Sequence, residues 1–209
     1  MIFAWLALAM APAVLSAPPA QPRPPGDASI ILARTKTTRT TYSLYGWNRV
    51  TLTAGTAEEG WAAEFHSGNL HRVETARDRV VANCKTGKGF GYSVETKKPY
   101  EGAWIARTAC GIDTNTPFEA VEWQGIVQTA FGPVDRIRIV AGKLVRRYDV
   151  SPEGILLGAV FSDNEPGEPR RLLNWAVAVE KTLPGKDIFS RASLRRSVVP
   201  ERYKRPPAS

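Results

Sequence analysis

Between Arg49 and about Cys110, apolar and polar residues alternate with a period of two. Val50, Leu52 and Ala54 are separated by polar neighbours, and Trp61, Ala63 and Phe65 run against Ala62, Glu64 and His66. Turn residues cut the stretch at Gly60, Ser67-Gly68-Asn69, Lys85 to Gly89 and Lys97-Lys98-Pro99. Such punctuated alternation predicts an antiparallel meander of about six strands with one buried face. At Thr116 the period changes. Thr116-Pro117-Phe118-Glu119 has the form of a capping box, and Trp123, Ile126, Val127, Ala130 and Phe131 follow at helical spacing up to Gly132-Pro133. This predicts a helix over 116–131 that docks by its apolar stripe. Alternation returns in 135–141 and 144–150 around Gly142-Lys143, in 155–162, and in a last strand where Leu173, Trp175, Val177 and Val179 share a face.

The region 27–45 reads two ways. Asp27 can cap a helix that Gly46 ends, whereas the β-branched run 35–42 (TKTTRTTY) favours a strand. The boundary residues favour the helix. The sum is an α+β domain: a mainly antiparallel meander sheet of about nine to ten strands, packed by the helix at 116–131 and an N-terminal helix.

The outer segments change the picture of where this domain works. Residues 1–17 carry no charge, hold an apolar run of Ile2 to about Ala11, and end in small residues suited to signal peptidase. That reads as a cleavable secretory signal, despite the missing basic residue at its start. A retained anchor is the alternative, and a lipidated one is ruled out because no cysteine precedes Cys84. Residues 18–27 form a proline-rich linker, 28–190 a single β-rich domain, and 191–209 a basic tail. Export makes the destination periplasmic or extracellular, and no second apolar run approaches spanning length. Cys84 and Cys110, the only cysteines, then read as one disulfide.

Net charge is +8. Arg191, Arg195, Arg196, Arg202, Lys204 and Arg205 face only Glu201 in the last segment, which carries most of that excess. With Pro200, Pro206 and Pro207 it reads as a solvated, disordered tail, or else as a contact for an anionic envelope component. Nucleic acid is disfavoured, since export removes the target and no basic-aromatic module is present.

Candidate chemistry is sparse. Glu64, His66 and His71 flank the turn at 67–69 and sketch a weak metal site. If Phe65 and Val73 both face the core, however, the two histidines lie on opposite faces and cannot chelate one ion. Lys85 to Gly91 is glycine-rich but lacks both phosphate-loop spacings, and no helix follows it. No GxSxG elbow or SxxK pair occurs, and the two histidines leave little for a triad. No cofactor is implied. Trp61, Trp123 and Trp175 fall on core faces, while Trp47 and Trp104 are candidates to rim a concave face.

The balance favours a non-enzymatic binding or structural module of the cell envelope. One alternative is a carrier of amphiphile or lipid in a pocket between sheet and helix. Element order alone is similar to that of periplasmic lipoprotein chaperones, and no residue motif carries the likeness. The other alternative is an envelope hydrolase, which would require at least two of His66, His71, Glu64, Asp113 and Asp149 to converge.

Overall fold

The structure is a computed structural model and describes residues 27–51, 57–113, 117–163 and 171–206. The signal at 1–17, the linker at 18–26, Leu52, Ala54, Thr116 and the last three residues lie outside that set.

Among the described residues eleven strands form one antiparallel sheet: β1 Tyr42–Thr51, β2 Ala57–Ser67, β3 Leu70–Thr75, β4 Asp78–Asn83, β5 Lys88–Ser93, β6 Pro99–Glu101, β7 Ala120–Thr129, β8 Gly132–Ala141, β9 Leu144–Val150, β10 Leu156–Asp163 and β11 Arg171–Glu180. Among the described residues two α-helices accompany them, α1 Ala28–Thr37 and α2 Ala103–Ala109. The spatial order is β6-β5-β4-β3-β2-β1-β11-β10-β9-β8-β7. Two meanders, β1–β6 and β7–β11, are therefore joined side by side where β1 pairs with β11. The α+β class and the predominance of antiparallel sheet agree with the sequence.

The helices differ from expectation. Asp27 does cap α1, its side chain accepting from the Ser29 amide at 2.8 Å. The helix ends at Thr37, and the β-branched run that follows feeds β1 well before Gly46. The helix expected over 116–131 is strand β7. Its register against β8 shifts between Trp123 and Gly125. Trp123 lies opposite Ile137 and Ile126 opposite Asp135, so a bulge stretches a two-residue interval to three. Gly125 supports the bulge with φ 106°. Glu119, expected to cap the helix, instead accepts from the Gly142 amide at 3.0 Å across the β8–β9 turn.

Both faces of the β1–β5 half are covered. On one face α2 lays Ala106 and Ala109 on Ala82, Val73 and Val80. The Cys84–Cys110 disulfide ties the end of α2 to the residue after β4. In the other meander, Ala28 and Ile31 of α1 pack on Ile137, Ile139, Tyr148 and Val150, and Arg34 reaches Asp135 at 2.6 Å.

The opposite face of β1–β5 is covered by the C-terminal segment, which corrects the expectation of a disordered tail. Ile188 and Val199 join Tyr45, Ala63 and Phe65 in one core cluster, with Tyr203 packed against it. Short 3-10 turns at Ala192–Arg195 and Glu201–Tyr203 shape the path. Prolines that forbid a regular helix do not forbid packing when apolar residues are interspersed. The basic side chains are only partly dispersed to solvent. Arg191 pairs with Glu101 at 3.7 Å, Arg202 with Glu180 at 3.3 Å and Lys204 with Glu201 at 2.6 Å. Arg195, Arg196 and Arg205 are exposed.

Candidate functional site

Strand register decides which side chains meet. Across five strands runs one row of direct partners: Tyr42, His66, His71, Ala82 and Gly89. Two residues along runs a second: Leu44, Glu64, Val73, Val80 and Gly91. Direct partners project to the same face, and this is the face beneath α2. Small residues on β4 and β5 let the helix approach, so that a Cβ at Gly89 would stand 2.6 Å from the Ile105 Cβ. On β1 to β3, where the helix leaves room, the same rows carry polar groups.

His66 and His71 are thus neighbours on one face, contrary to the expectation that they point apart. That expectation took Phe65 as marking the single buried face. Phe65 is buried, but on the other side, under the C-terminal segment. The tight β2–β3 turn pairs His66 with His71 directly, and their Nδ1 atoms lie 3.2 Å apart. Tyr42 stacks on His66, with ring centroids 5.4 Å apart. Glu64 is the diagonal neighbour, its Oε2 lying 3.6 Å from His71 Nε2. Burial pushes the Tyr42 phenol well above its ordinary range, and the nearby Glu64 carboxylate adds to the effect. Burial also lowers the His66 pKa, and electrostatic repulsion against the adjoining imidazole of His71 opposes its protonation further.

These residues line a small cavity of about 130 Å³ beneath α2, beside the disulfide. Glu64, Thr108, Gly111 and Leu156 also line a second cavity of about 390 Å³. The two adjoin, forming one cleft between the sheet and the roof made by α2 and the 110–113 loop. The larger cavity is mixed in character. Leu44, Ile112, Leu156, Ala159 and Phe161 give it apolar walls, while Glu64, Asp113, Arg146 and Asn174 bring polar groups. Arg146 lies over the Phe161 ring at 5.9 Å, and its buried Nε has no hydrogen-bond partner.

Of the five residues named as possible acid/base groups, Glu64, His66 and His71 come together and Asp113 lines the adjoining wall. Asp149 does not join them, because it takes a two-pronged contact from Arg136 at 2.7 and 2.8 Å. Among the described residues no group of three or more His, Cys, Asp or Glu side chains is arranged to hold a metal ion. Tyr42, Asn174 and Arg146 were not singled out from sequence. Tyr42 was legible only through the register that sets it beside His66. Of the two tryptophans expected to rim a concave face, Trp47 is buried with its Nε1 donating to Glu59 at 3.1 Å. Trp104 is half exposed on α2 and stacks on Tyr100.

No family model and no curated protein sequence matches the chain. Solved structures do resemble it. An uncharacterized conserved protein from Thermus thermophilus is 18% identical with TM-score 0.53, over 85% of this chain and 96% of that one. A LolA superfamily protein from Nitrosomonas europaea is 8% identical with TM-score 0.44, over 80% of this chain and 99% of that one. The first likeness shows a common fold, and neither bears on activity. Among the described residues no helix is long and apolar enough to cross a membrane.

Proposed function

We propose that this chain is an exported binding protein of the cell envelope whose cleft holds an amphiphile. The supporting observation is the cleft itself. About 390 Å³ of space lies between sheet and roof, with Leu44, Ala159 and Phe161 on its walls and Glu64, Asp113 and Arg146 beside them. Ligand sites typically occupy roughly 300–1,000 Å³ and pair apolar walls with a few placed polar groups. A cavity of this kind suits an alkyl chain with a polar head better than a fully polar solute. The signal-like residues 1–17 support an exported location, periplasmic or extracellular.

The test is native mass spectrometry of protein exported and purified without detergent, with a displacement assay using a fluorescent alkyl probe. A bound mass in the lipid range, and probe binding abolished in Ala159→Trp, are the expected results. No bound mass, together with equal probe response in the parent and in Ala159→Trp, would sink the reading.

The convergence of His66, His71 and Glu64 favours a second reading, an acid/base site of a hydrolase. The hydroxyls lining that pocket belong to Thr35, Thr38, Tyr42 and Thr108, and the cysteine sulfurs beside them are locked in the disulfide. A water nucleophile would then be required. Turnover of a panel of esters and amides that disappears in His71→Gln would establish this reading in place of the first.

A further inference from the structure

Hydrogen-bond direction at the small end of the cleft is fixed by one carbonyl. His66 Nε2 lies 3.1 Å from the Thr38 carbonyl oxygen, which can only accept, so Nε2 carries a hydrogen. His66 is buried and held neutral, which leaves a lone pair on its Nδ1. The group 3.2 Å away, His71 Nδ1, must therefore donate. A neutral His71 then turns a lone pair on Nε2 toward the cavity. That side chain is only 6% exposed, and its Nε2 has no hydrogen-bond partner. Beside it, 3.6 Å away, stands Glu64 Oε2, on a carboxylate that also neighbours Tyr42 in the same pocket. Two acceptors, one of them anionic, thus face about 130 Å³ of enclosed space. A buried acceptor left unsatisfied costs free energy, so the pocket is built for a donor.

We propose that the Tyr42–Glu64–His71 end of the cleft binds the primary ammonium head of the amphiphile. The inference rests on the reading of the cleft as an amphiphile site and adds the chemistry of the head. A primary ammonium offers a hydrogen to each acceptor and a positive charge to Glu64. A hydroxyl has one hydrogen and satisfies one acceptor. A carboxylate or phosphate has no hydrogen to give and is repelled by Glu64. The space exceeds that of a single water several-fold, enough for a head group and its first carbons. The other charged groups facing the cleft are Lys36 at the small cavity and Arg146 and Asp113 on the larger one. Glu64 is a carboxylate that both cavities share, and it supplies the counter-charge for the head.

The test compares decylamine, decanol and decanoate at pH 7.5 by titration calorimetry, using the parent protein, Glu64→Gln and His71→Gln. Far-UV circular dichroism and Tm establish that each variant is folded. Decylamine is expected to bind at least about ten-fold more tightly than decanol, with decanoate weakest, as a charged hydrogen bond allows. The overall charge of +8 works against adventitious binding of a cation, so this order is not a surface effect. In Glu64→Gln the preference of decylamine over decanol should fall to within about two-fold. If decanol binds and decylamine is not favoured, or the preference survives in both variants, the head-group inference is overturned and the amphiphile reading stands. If none of the three binds, both fall. As a separate readout, ethylammonium alone should shift the ¹⁵N resonance of His71 Nε2, and no shift at saturating concentration counts against the proposal.

Discussion

Arg72 and Glu74, two residues apart on β3, form an ion pair at 2.7 Å with neither side chain exposed to solvent. They face away from the cleft and organise the C-terminal segment. Arg72 donates to the carbonyls of Ile188, Ser193 and Arg196 and to the Ser193 hydroxyl. Glu74 accepts from the Val198 amide at 3.1 Å. Removing Arg72 leaves the buried Glu74 with only the more distant Arg79, at 3.6 Å, to offset its charge. Arg72→Ala should therefore cost about 3–5 kcal/mol in urea denaturation and open residues 183–206 to limited proteolysis. A double variant, Arg72→Met with Glu74→Leu, should cost less than the two single changes added together. Equal proteolysis of Arg72→Ala and the parent would show that the segment is held by its apolar residues alone.

The disulfide closes a loop with a sequence separation of 26 residues and holds the roof helix to the sheet. Cys84→Ser with Cys110→Ser should lower stability by about 3.5 kcal/mol on the chain-entropy account. The same change should loosen α2 more than β8 or β9, read as faster amide exchange at 103–109. Uniform acceleration across the sheet would argue that the bond acts on the unfolded chain only.

Acid should destabilise the fold through His66. Its folded pKa is depressed by burial and by His71, while the unfolded residue titrates near about 6.5. Above that pH the side chain is neutral in both states and the contribution is intact. As pH falls below it, the unfolded chain takes up the proton first and stability is lost. His66→Gln keeps a donor for Thr38 and an acceptor for His71. It should flatten the decline in unfolding free energy between pH 7 and pH 5, as measured by urea titration at each pH. An unchanged slope would place the sensitivity elsewhere.

Gly89 sets the height of the roof. A Cβ there would sit 2.6 Å from the Ile105 Cβ and 2.9 Å from the Ala106 amide nitrogen. Gly89→Ala should force α2 outward and cost about 1–3 kcal/mol, with altered probe binding in the cleft below. A variant as stable as the parent would mean that α2 shifts without resistance.

Much of the sheet was legible because its turns are written in glycine and asparagine, as at 67–69 and 142–143. The disulfide was legible from count and setting. β7 was not, because its bulge gives Trp123 and Ile126 a spacing of three, which alternation alone reads as helical. The histidine pair was hidden by a related cause. A sheet covered on both sides buries Phe65 and His66 alike, so hydrophobicity no longer reports which way a side chain points. The C-terminal segment failed for a third reason. Its charges dominate composition, while the residues that anchor it, Ile188, Leu194 and Val199, are few and widely spaced. The cleft combines all three effects, and its polar rows emerge only once register is known.

The pairing of β1 with β11 has a consequence for how the molecule comes into being. A chain that emerges N-terminus first can build β1 to β6 from local hairpins, but the remaining edge of β1 waits for a partner more than a hundred residues downstream. Until β11 arrives, Tyr42 to Thr51 presents unpaired amides and carbonyls along the middle of the future sheet, a template for pairing with other chains. Distant contacts of this kind slow folding. The last of these strands to emerge is thus the one that joins the two halves, and self-association during folding is governed by how long that seam stays open.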